Sequence, residues 1–310
     1  MDIKLPNLDN YRSSFEKSGI SLPLAPVDFN VNGLIDTIPK AQNAQTGWPW
    51  DEEVDPAIYN KDIVWPKLTI VTPSYNQALF LEQTIRSVLL QNYPNLEYII
   101  IDGGSTDGSV EIIKKYAPWI SYWRSEKDNG QGNAINLGFS LSSGNYHAWI
   151  NSDDYYLKDV FSFVINKFLI SKTDFIYGYV LNFETLTNRF ELIRPRLFSD
   201  YFIRIPTLGQ PSCFWSEKIH QPIWEELSCS LDYELWLRML KGKKRMRIRA
   251  PLSVASIHDE AKTYDPKMKI AWEKDHQLIC SKSAHGPVYN WDRIQLFNRI
   301  LHKLFKILNL

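Results

Sequence analysis

The sequence predicts an α/β fold with a mostly parallel central sheet flanked by helices, and three observations carry that prediction. Strand-like and helix-like stretches alternate between residues 68 and 154, the pattern of strand–crossover–strand units with right-handed connections. The second of these strands, Leu96-Glu97-Tyr98-Ile99-Ile100-Ile101, is apolar enough to be covered on both faces, as in a parallel sheet. The fourth, Tyr146-His147-Ala148-Trp149-Ile150, stops on Asn151-Ser152-Asp153-Asp154, and open α/β sheets bind their ligands at that edge.

Residues 1–62 show no sustained periodicity and are punctuated by Pro6, Pro23, Pro26, Pro39, Pro49 and Pro56. They read as an irregular arm wrapped on the main domain and pinned by Trp48 and Trp50. The main domain spans 63–260 in two halves, 63–154 and 155–260, and 261–310 forms a helical C-terminal extension. A first strand over 68–72 is ended by Pro73. A helix over 78–90 places Leu79, Ile85, Val88 and Leu89 at helical spacing, with Asn76 positioned to cap it. After the second strand, a turn at 102–108 leads to a short helix over 110–116, a third strand over 120–123 and a helix over 134–141. Beyond Asp154 the order loosens. A helix over 160–170, paired strands over 175–181 and 190–193, a helix over 231–240 and two strands over 245–248 and 252–257 are expected there.

Composition narrows the class. With 310 residues, 44% of them hydrophobic and 23% charged, the chain has the make-up of a globular protein with a sizeable core. Lys plus Arg and Asp plus Glu number 35 each, and that balance argues against a nucleic-acid partner, which requires excess cations. Cys213, Cys229 and Cys280 are odd in number and lack metal-ligand spacing, so they read as thiols of a reducing compartment. Neither a signal peptide nor an apolar run of the ~18–20 residues a membrane span needs is visible. A cytoplasmic protein is therefore expected, and a processive synthase with its own export channel is not. The 11 tryptophans read first as core and second as platforms for sugar rings.

Two adjacent acids at a strand end repel each other and resist burial unless a cation or a sugar hydroxyl sits between them. Asp153 and Asp154 are accordingly candidate holders of a divalent metal, Mn²⁺ or Mg²⁺, that carries a diphosphate. The competing reading is a solvated turn capping the next helix. Thr72-Pro73-Ser74-Tyr75-Asn76-Gln77 lies where the first strand becomes a helix, a place whose backbone N–H groups suit phosphates or polar nucleotide edges. Asp102, before Gly103-Gly104, is either an acceptor for a base N–H or ribose hydroxyl, or a turn-forming Asp. Neither the G-x-G-x-x-G spacing nor a P-loop is present, which disfavours nicotinamide and P-loop chemistry.

Taken together and in order, Leu68-Thr69-Ile70-Val71-Thr72-Pro73-Ser74-Tyr75-Asn76, Ile99-Ile100-Ile101-Asp102-Gly103-Gly104-Ser105-Thr106-Asp107-Gly108, Ser125-Glu126-Lys127-Asp128-Asn129-Gly130, Asn133-Ala134-Ile135-Asn136-Leu137-Gly138 and Asn151-Ser152-Asp153-Asp154 resemble the nucleotide-binding half of family 2 glycosyltransferases. The resemblance continues more loosely to about His258. It implies a GT-A fold, with 63–154 as the nucleotide-binding half and 155–260 as the acceptor half. It also implies a nucleotide-diphosphate sugar as donor. By resemblance Pro73, Ser74, Tyr75 and Asn76 line the nucleotide pocket, Asp102 contacts the base, Asp128 lies near ribose or base, and Asn133 belongs to the same site. Asp153 and Asp154 match the metal- and diphosphate-binding acids, with Asp154 favoured as the direct ligand. His258 matches a histidine that completes the metal shell or touches the diphosphate. Asn151 stands where many members carry an acid, so one negative charge is missing.

Gln210-Pro211-Ser212-Cys213-Phe214-Trp215 and Leu231-Asp232-Tyr233-Glu234-Leu235-Trp236-Leu237-Arg238 resemble the family's acceptor-side segments, and Asp232 matches its catalytic base. In the first turn of a helix capped by Ser230, Asp232 is expected to have a lowered pKa and to be always ionised. Glu234 is the alternative base. The basic run 241–249 and an amphipathic stretch over 294–309, apolar at Leu296, Ile300 and Leu304 among others, are candidate surfaces. The latter either docks on the core or makes peripheral contact with a membrane. The reading is an inverting, metal-dependent glycosyltransferase acting on a glycan or lipid-linked glycan acceptor in surface polysaccharide synthesis. Its rivals are a catalytically inactive nucleotide-sugar-binding protein on the same fold, which only Asn151 favours, and a nucleotidyltransferase, which would need a basic glycine-rich loop after the first strand.

Overall fold

Seven buried residues in a row make β1 (Leu68–Ser74) the strand from which the sheet grows. β2 (Leu96–Asp102) lies parallel to it on one side and β4 (Tyr146–Trp149) on the other, while β3 (Tyr122–Ser125) adds beyond β2, also parallel. These four strands therefore end at one edge. The computed structural model describes residues 3–41, 45–59, 62–195, 208–259, 261 and 268–282, with Leu296, Ile300, Lys303 and Leu304 beyond them.

Pro73 does not end β1, as the sequence suggested; the strand continues through Ser74. Residues of a strand present their backbone groups to alternate sides. Val71 O accepts from Ile150 N on the β4 side and Ser74 O accepts from Gly103 N on the β2 side. Pro73 thus faces the β4 side, past the last pairing of Val71 with Trp149, where no ladder bond is lost.

Helices α2 (Ala78–Leu89), α3 (Ser109–Tyr116) and α4 (Gln131–Leu141) make the crossovers. α4 lies so close to β1 that a Cβ on Gly138 would stand 2.5 Å from Val71 Cγ1, so only glycine fits this contact.

The second half extends the same sheet, in the order β3-β2-β1-β4-β8-β6-β9-β5 with β7 outside β6. Here β5 is Tyr155–Tyr156, β6 Phe175–Glu184, β7 Arg189–Ile193, β8 Cys213–Ser216 and β9 Arg245–Ile257, with helices α5 (Val160–Ser171), α6 (Leu231–Met239) and α7 (Lys269–Lys282) around them. β8 runs antiparallel to both β4 and β6, and β9 parallel to β6, so this half is mixed. The two strands read over 245–257 are one. Register shifts opposite Tyr177 and Tyr179 absorb the irregularity around Pro251, and pairing resumes on its far side.

Trp149, Trp215 and Trp236 pack face and edge on one another with ring centroids 5.6–5.7 Å apart, so these tryptophans are core. Their stacking also places α6 against the end of β4.

The arm contains one helix that escaped the sequence reading, α1 (Leu8–Lys17), capped by Asn7 and packed on α4. Its signal was present but short: Leu8, Tyr11 and Phe15 share a face after an N-cap residue. Trp48 Nε1 donates to Tyr156 O at 2.7 Å. The stronger anchor is Arg86 of α2, only 1% exposed, whose guanidinium donates to the carbonyls of Pro39, Pro49 and Trp50 at 2.6–3.0 Å. Most of the amphipathic stretch 294–309 lies outside the described residues. Among the described residues, no helix is long and apolar enough to cross a membrane. Arg86→Met removes the guanidinium donor from three carbonyls and leaves those of Pro49 and Trp50 without it, at an expected cost of about 3 kcal/mol. Urea denaturation reads the loss, and limited proteolysis should locate new cleavage between residues 39 and 50.

Candidate functional site

The common edge of the parallel strands gathers most of the anticipated residues. Ser74 closes β1 with its hydroxyl buried and unpartnered, and Tyr75 beyond it is 63% exposed. Asn76 takes a left-handed backbone conformation with φ 51° and does not cap α2. Its side-chain Oδ1 instead accepts from Thr106 N, while Asp107 accepts from Ala78 N at the start of α2. The cap therefore comes from the neighbouring loop, a pairing that sequence distance hides.

Asp102 is fully buried, and its carboxylate accepts from Gly104 N, Ser105 N, Ser105 Oγ and Ser125 Oγ at 2.5–3.1 Å. It shapes the loop after β2. A Cβ on Gly103 would meet Asp128 Oδ2 at 3.1 Å, so glycine here makes room for that carboxylate. Burial pushes the Asp128 carboxyl up, and the charges of Asp102 and Glu225 add to the shift. Asn133 is 5% exposed and spent inside the chain: its amide donates to Tyr11 Oη and Glu225, and its oxygen accepts from Asn129 N. Glu225 and Tyr11 were missed by sequence reasoning, because neither lies in a motif.

After β4, the acids separate by role. Asp154 is 6% exposed and its carboxylate accepts from Ser256 N at 3.1 Å and Asn151 Nδ2 at 3.3 Å. Burial drives its carboxyl well up, and the adjacent Asp153 charge pushes the same way. Asp153 is half-buried, with Oδ2 3.2 Å from His258 Nε2, and the His258 ring stacks on Phe80 at 4.5 Å. A carboxylate oxygen beside an imidazole nitrogen is a donor pair that fits a divalent cation. Asp154 accepts within the chain from Asn151 and Ser256, and among the described residues no three His, Cys, Asp or Glu side chains converge as a ligand set. Asn151, in the acid-deficient position, accepts from Gln131 Nε2 at 2.8 Å.

Asp232 reaches the same edge through packing. Trp236 stacks on Trp149, the last residue of β4, at 5.6 Å and 13°, and Asp232 lies one helical turn before Trp236. Burial raises the Cys213 thiol, at the start of β8, and the nearby negative charge of Asp232 adds to the shift. The expected low pKa is overturned. Although part of its surface remains exposed, burial pushes the Asp232 carboxyl up to about 6 against the pull of backbone N–H groups. Ser230 makes no side-chain cap either. Glu234 is fully buried and bonded through both oxygens to Arg238 at 2.7 and 2.8 Å, which commits it to an ion pair. Gln210 was quoted only as part of a segment. It donates from Nε2 to Trp149 O and leaves Oε1 buried and unpartnered at this edge.

The sequence model described as "Glycosyl transferase family 2" matches residues 69–220. An uncharacterized glycosyltransferase of Haemophilus influenzae is 30% identical over 192 residues, covering 58% of this chain and 74% of that protein. The chain belongs to glycosyltransferase family 2. A further family relative, the putative teichuronic acid biosynthesis glycosyltransferase TuaG of Bacillus subtilis, is 37% identical over 97 residues, 30% of this chain. The match spans 38% of TuaG, so this chain corresponds to much less than two thirds of that relative. Staphylococcus aureus TarS (residues 1–349), solved in complex with UDP, superposes with a TM-score of 0.55 at 16% identity, over 77% of this chain and 72% of TarS 1–349. At that identity the likeness bears on the fold, which is the GT-A type.

An unfolded aspartate titrates near ~3.9, so folding opposes ionisation of Asp232. Its contribution is present below pH 4 and is lost as pH rises through about 6. Asp232→Asn is therefore expected to be more stable than the parent protein at pH 7.5, by up to ~3 kcal/mol, and no more stable at pH 4. Urea unfolding at the two pH values measures the difference.

Proposed function

We propose that this chain transfers a sugar, with inversion, from a nucleotide-diphosphate donor to a hydroxyl of a glycan or lipid-linked glycan, with Asp232 as general base. The observation that carries the reading is a carboxyl raised to about 6 at the edge that also holds Asp153 and His258. Such a group is ionised at neutral pH yet more basic than an ordinary aspartate, which suits proton removal from an attacking hydroxyl. As the acceptor oxygen bonds to the anomeric carbon, its proton passes to Asp232 and the carbon–oxygen bond to the diphosphate breaks on the opposite face. The nucleoside diphosphate leaves with the bonding pair.

Pro73, Ser74, Tyr75 and Asn76 line the nucleotide, with the exposed Tyr75 ring available to stack on the base. Asp128 faces the ribose or base. Asp102 and Asn133, both engaged within the chain, hold the pocket walls. Asp153 and His258 would hold a divalent Mn²⁺ or Mg²⁺, with Asp154 bracing them from behind. Bound there, the cation neutralises charge on the departing diphosphate. The named role of TuaG in teichuronic acid biosynthesis supports a cell-surface glycan as destination. Leu296, Ile300 and Leu304, exposed one helical turn apart, support peripheral contact with a membrane.

Thermal shift against UDP-, GDP- and dTDP-sugars, each with and without Mn²⁺, tests the donor site. One donor class should raise the melting temperature in a metal-dependent way, and Asp153→Ala should abolish the metal dependence. No shift with any donor would overturn the reading. With a turning-over donor, the rate should fall on the acid side of pH 6, and Asp232→Asn should lose on the order of 10²–10⁴-fold. The anomeric configuration of the product, read by NMR, decides inversion.

A further inference from the structure

α7 delivers a second carboxylate to the start of α6, and neither the family's motifs nor the mechanism above uses it. Asp275, 1% exposed, accepts from Ser228 N at 3.0 Å, Cys229 N at 2.6 Å and Ser230 N at 2.9 Å through Oδ2, and again from Ser228 N through Oδ1. Three successive backbone N–H groups thus converge on one side chain from another helix, forming an anion-binding concavity closed by the chain itself. Charge-assisted bonds of this kind are about twice as strong as neutral ones. α7 is seated by Ile279, which is fully buried, and by the edge contact of His276 with Tyr233 at 6.4 Å. The local cap that would otherwise hold this backbone is missing, since the Ser230 hydroxyl is buried without a partner.

The backbone of 228–230 sets the direction in which the first turn of α6 starts, and Asp232 follows Ser230 by two residues. We propose that Asp275 is a positioning residue which clamps this backbone and so holds Asp232 at the catalytic edge, partly shut off from water. α7, which lies beyond the family-matched residues 69–220, then belongs to the transfer machinery. Asp275 itself touches no substrate. The inference rests on Asp232 being the base, and it gives a physical cause for the retention of that carboxyl's burial.

The test compares the parent protein with Asp275→Asn, in which an amide NH₂ is set against N–H groups that need an acceptor. Amide hydrogen exchange should rise at 228–230. The ¹³C carboxyl titration of Asp232, assigned by its absence in Asp232→Asn, should move down from about 6 as water enters. With a donor of the UDP-, GDP- and dTDP-sugar panel that turns over, kcat should fall roughly 10–100-fold with the donor KM unchanged. Unchanged exchange and an unchanged Asp232 titration overturn the clamp, and so does a lowered melting temperature that leaves both unmoved. If Asp275→Asn does not fold, Asp275→Glu keeps the charge, displaces it by one methylene and is read in the same ways. Full transfer by Asp232→Asn would instead remove the base assignment, while titration and exchange would still report on the clamp.

Discussion

The hydrogen bond from Ser256 N to Asp154 Oδ1 fastens the two halves of this domain together at the edge that gathers the candidate site residues. Asp154 belongs to the turn after β4, and Ser256 to the last stretch of β9. Because the acceptor is a buried carboxylate, the join cannot be loosened without leaving a charge or a carboxylic acid poorly solvated. Thr84 of α2 adds a hydroxyl donated to Asp154 O and Ser152 O, so the turn is gripped from both sides. Two residues past Ser256 comes His258, and one residue before Asp154 comes Asp153. Their 3.2 Å approach is a consequence of that join. Of the two adjacent acids, Asp154 is buried and hydrogen-bonded, while Asp153 keeps about a fifth of its side chain exposed.

Desolvation sets the character of the site more than helix dipoles do. A helix N-terminus is worth typically 0.3–1 kcal/mol to a nearby anion, whereas burying a carboxylate costs more per group. At Asp232 the second effect wins, and the carboxyl rises to about 6 despite its position in the first turn of α6. Glu234, two residues on, is more deeply buried and is held in an ion pair with Arg238 at 2.7 Å. The two acids of one helix thus take opposite parts, decided by whether a guanidinium is in reach.

The parallel half was legible in the sequence because its central strands β1 and β2 are buried along their whole length and alternate with helices at short, regular intervals. Each strand and helix from β1 to β4 was found, with ends displaced by a few residues. The other half was less so. β5 has two residues, β8 has four, and the irregularity at Pro251 looked like a break between strands when it is a bulge within β9. Of the candidate site residues, Asp153 was named in the sequence as one of two adjacent acids, and Asp232 and His258 through resemblance alone. Asp107, Glu225, Phe80 and Asp275 were not, since each acts across more than 25 residues of chain on a partner that local pattern cannot name. Propensity arguments placed Asn76 and Ser230 as caps, and tertiary donors and acceptors displaced both.

Arg86 holds the N-terminal arm by its carbonyl oxygens, and two further backbone bonds, Val27 N to Leu96 O and Val54 N to Leu90 O, do the same work. None of these five contacts uses a side chain of the arm, and only proline at positions 27 or 54 would remove a donor. Substitutions can therefore accumulate along the arm over evolutionary time while its path across the domain stays the same. Family members could share this wrapping with little residual similarity in their first 60 or so positions, and alignment there would understate common ancestry.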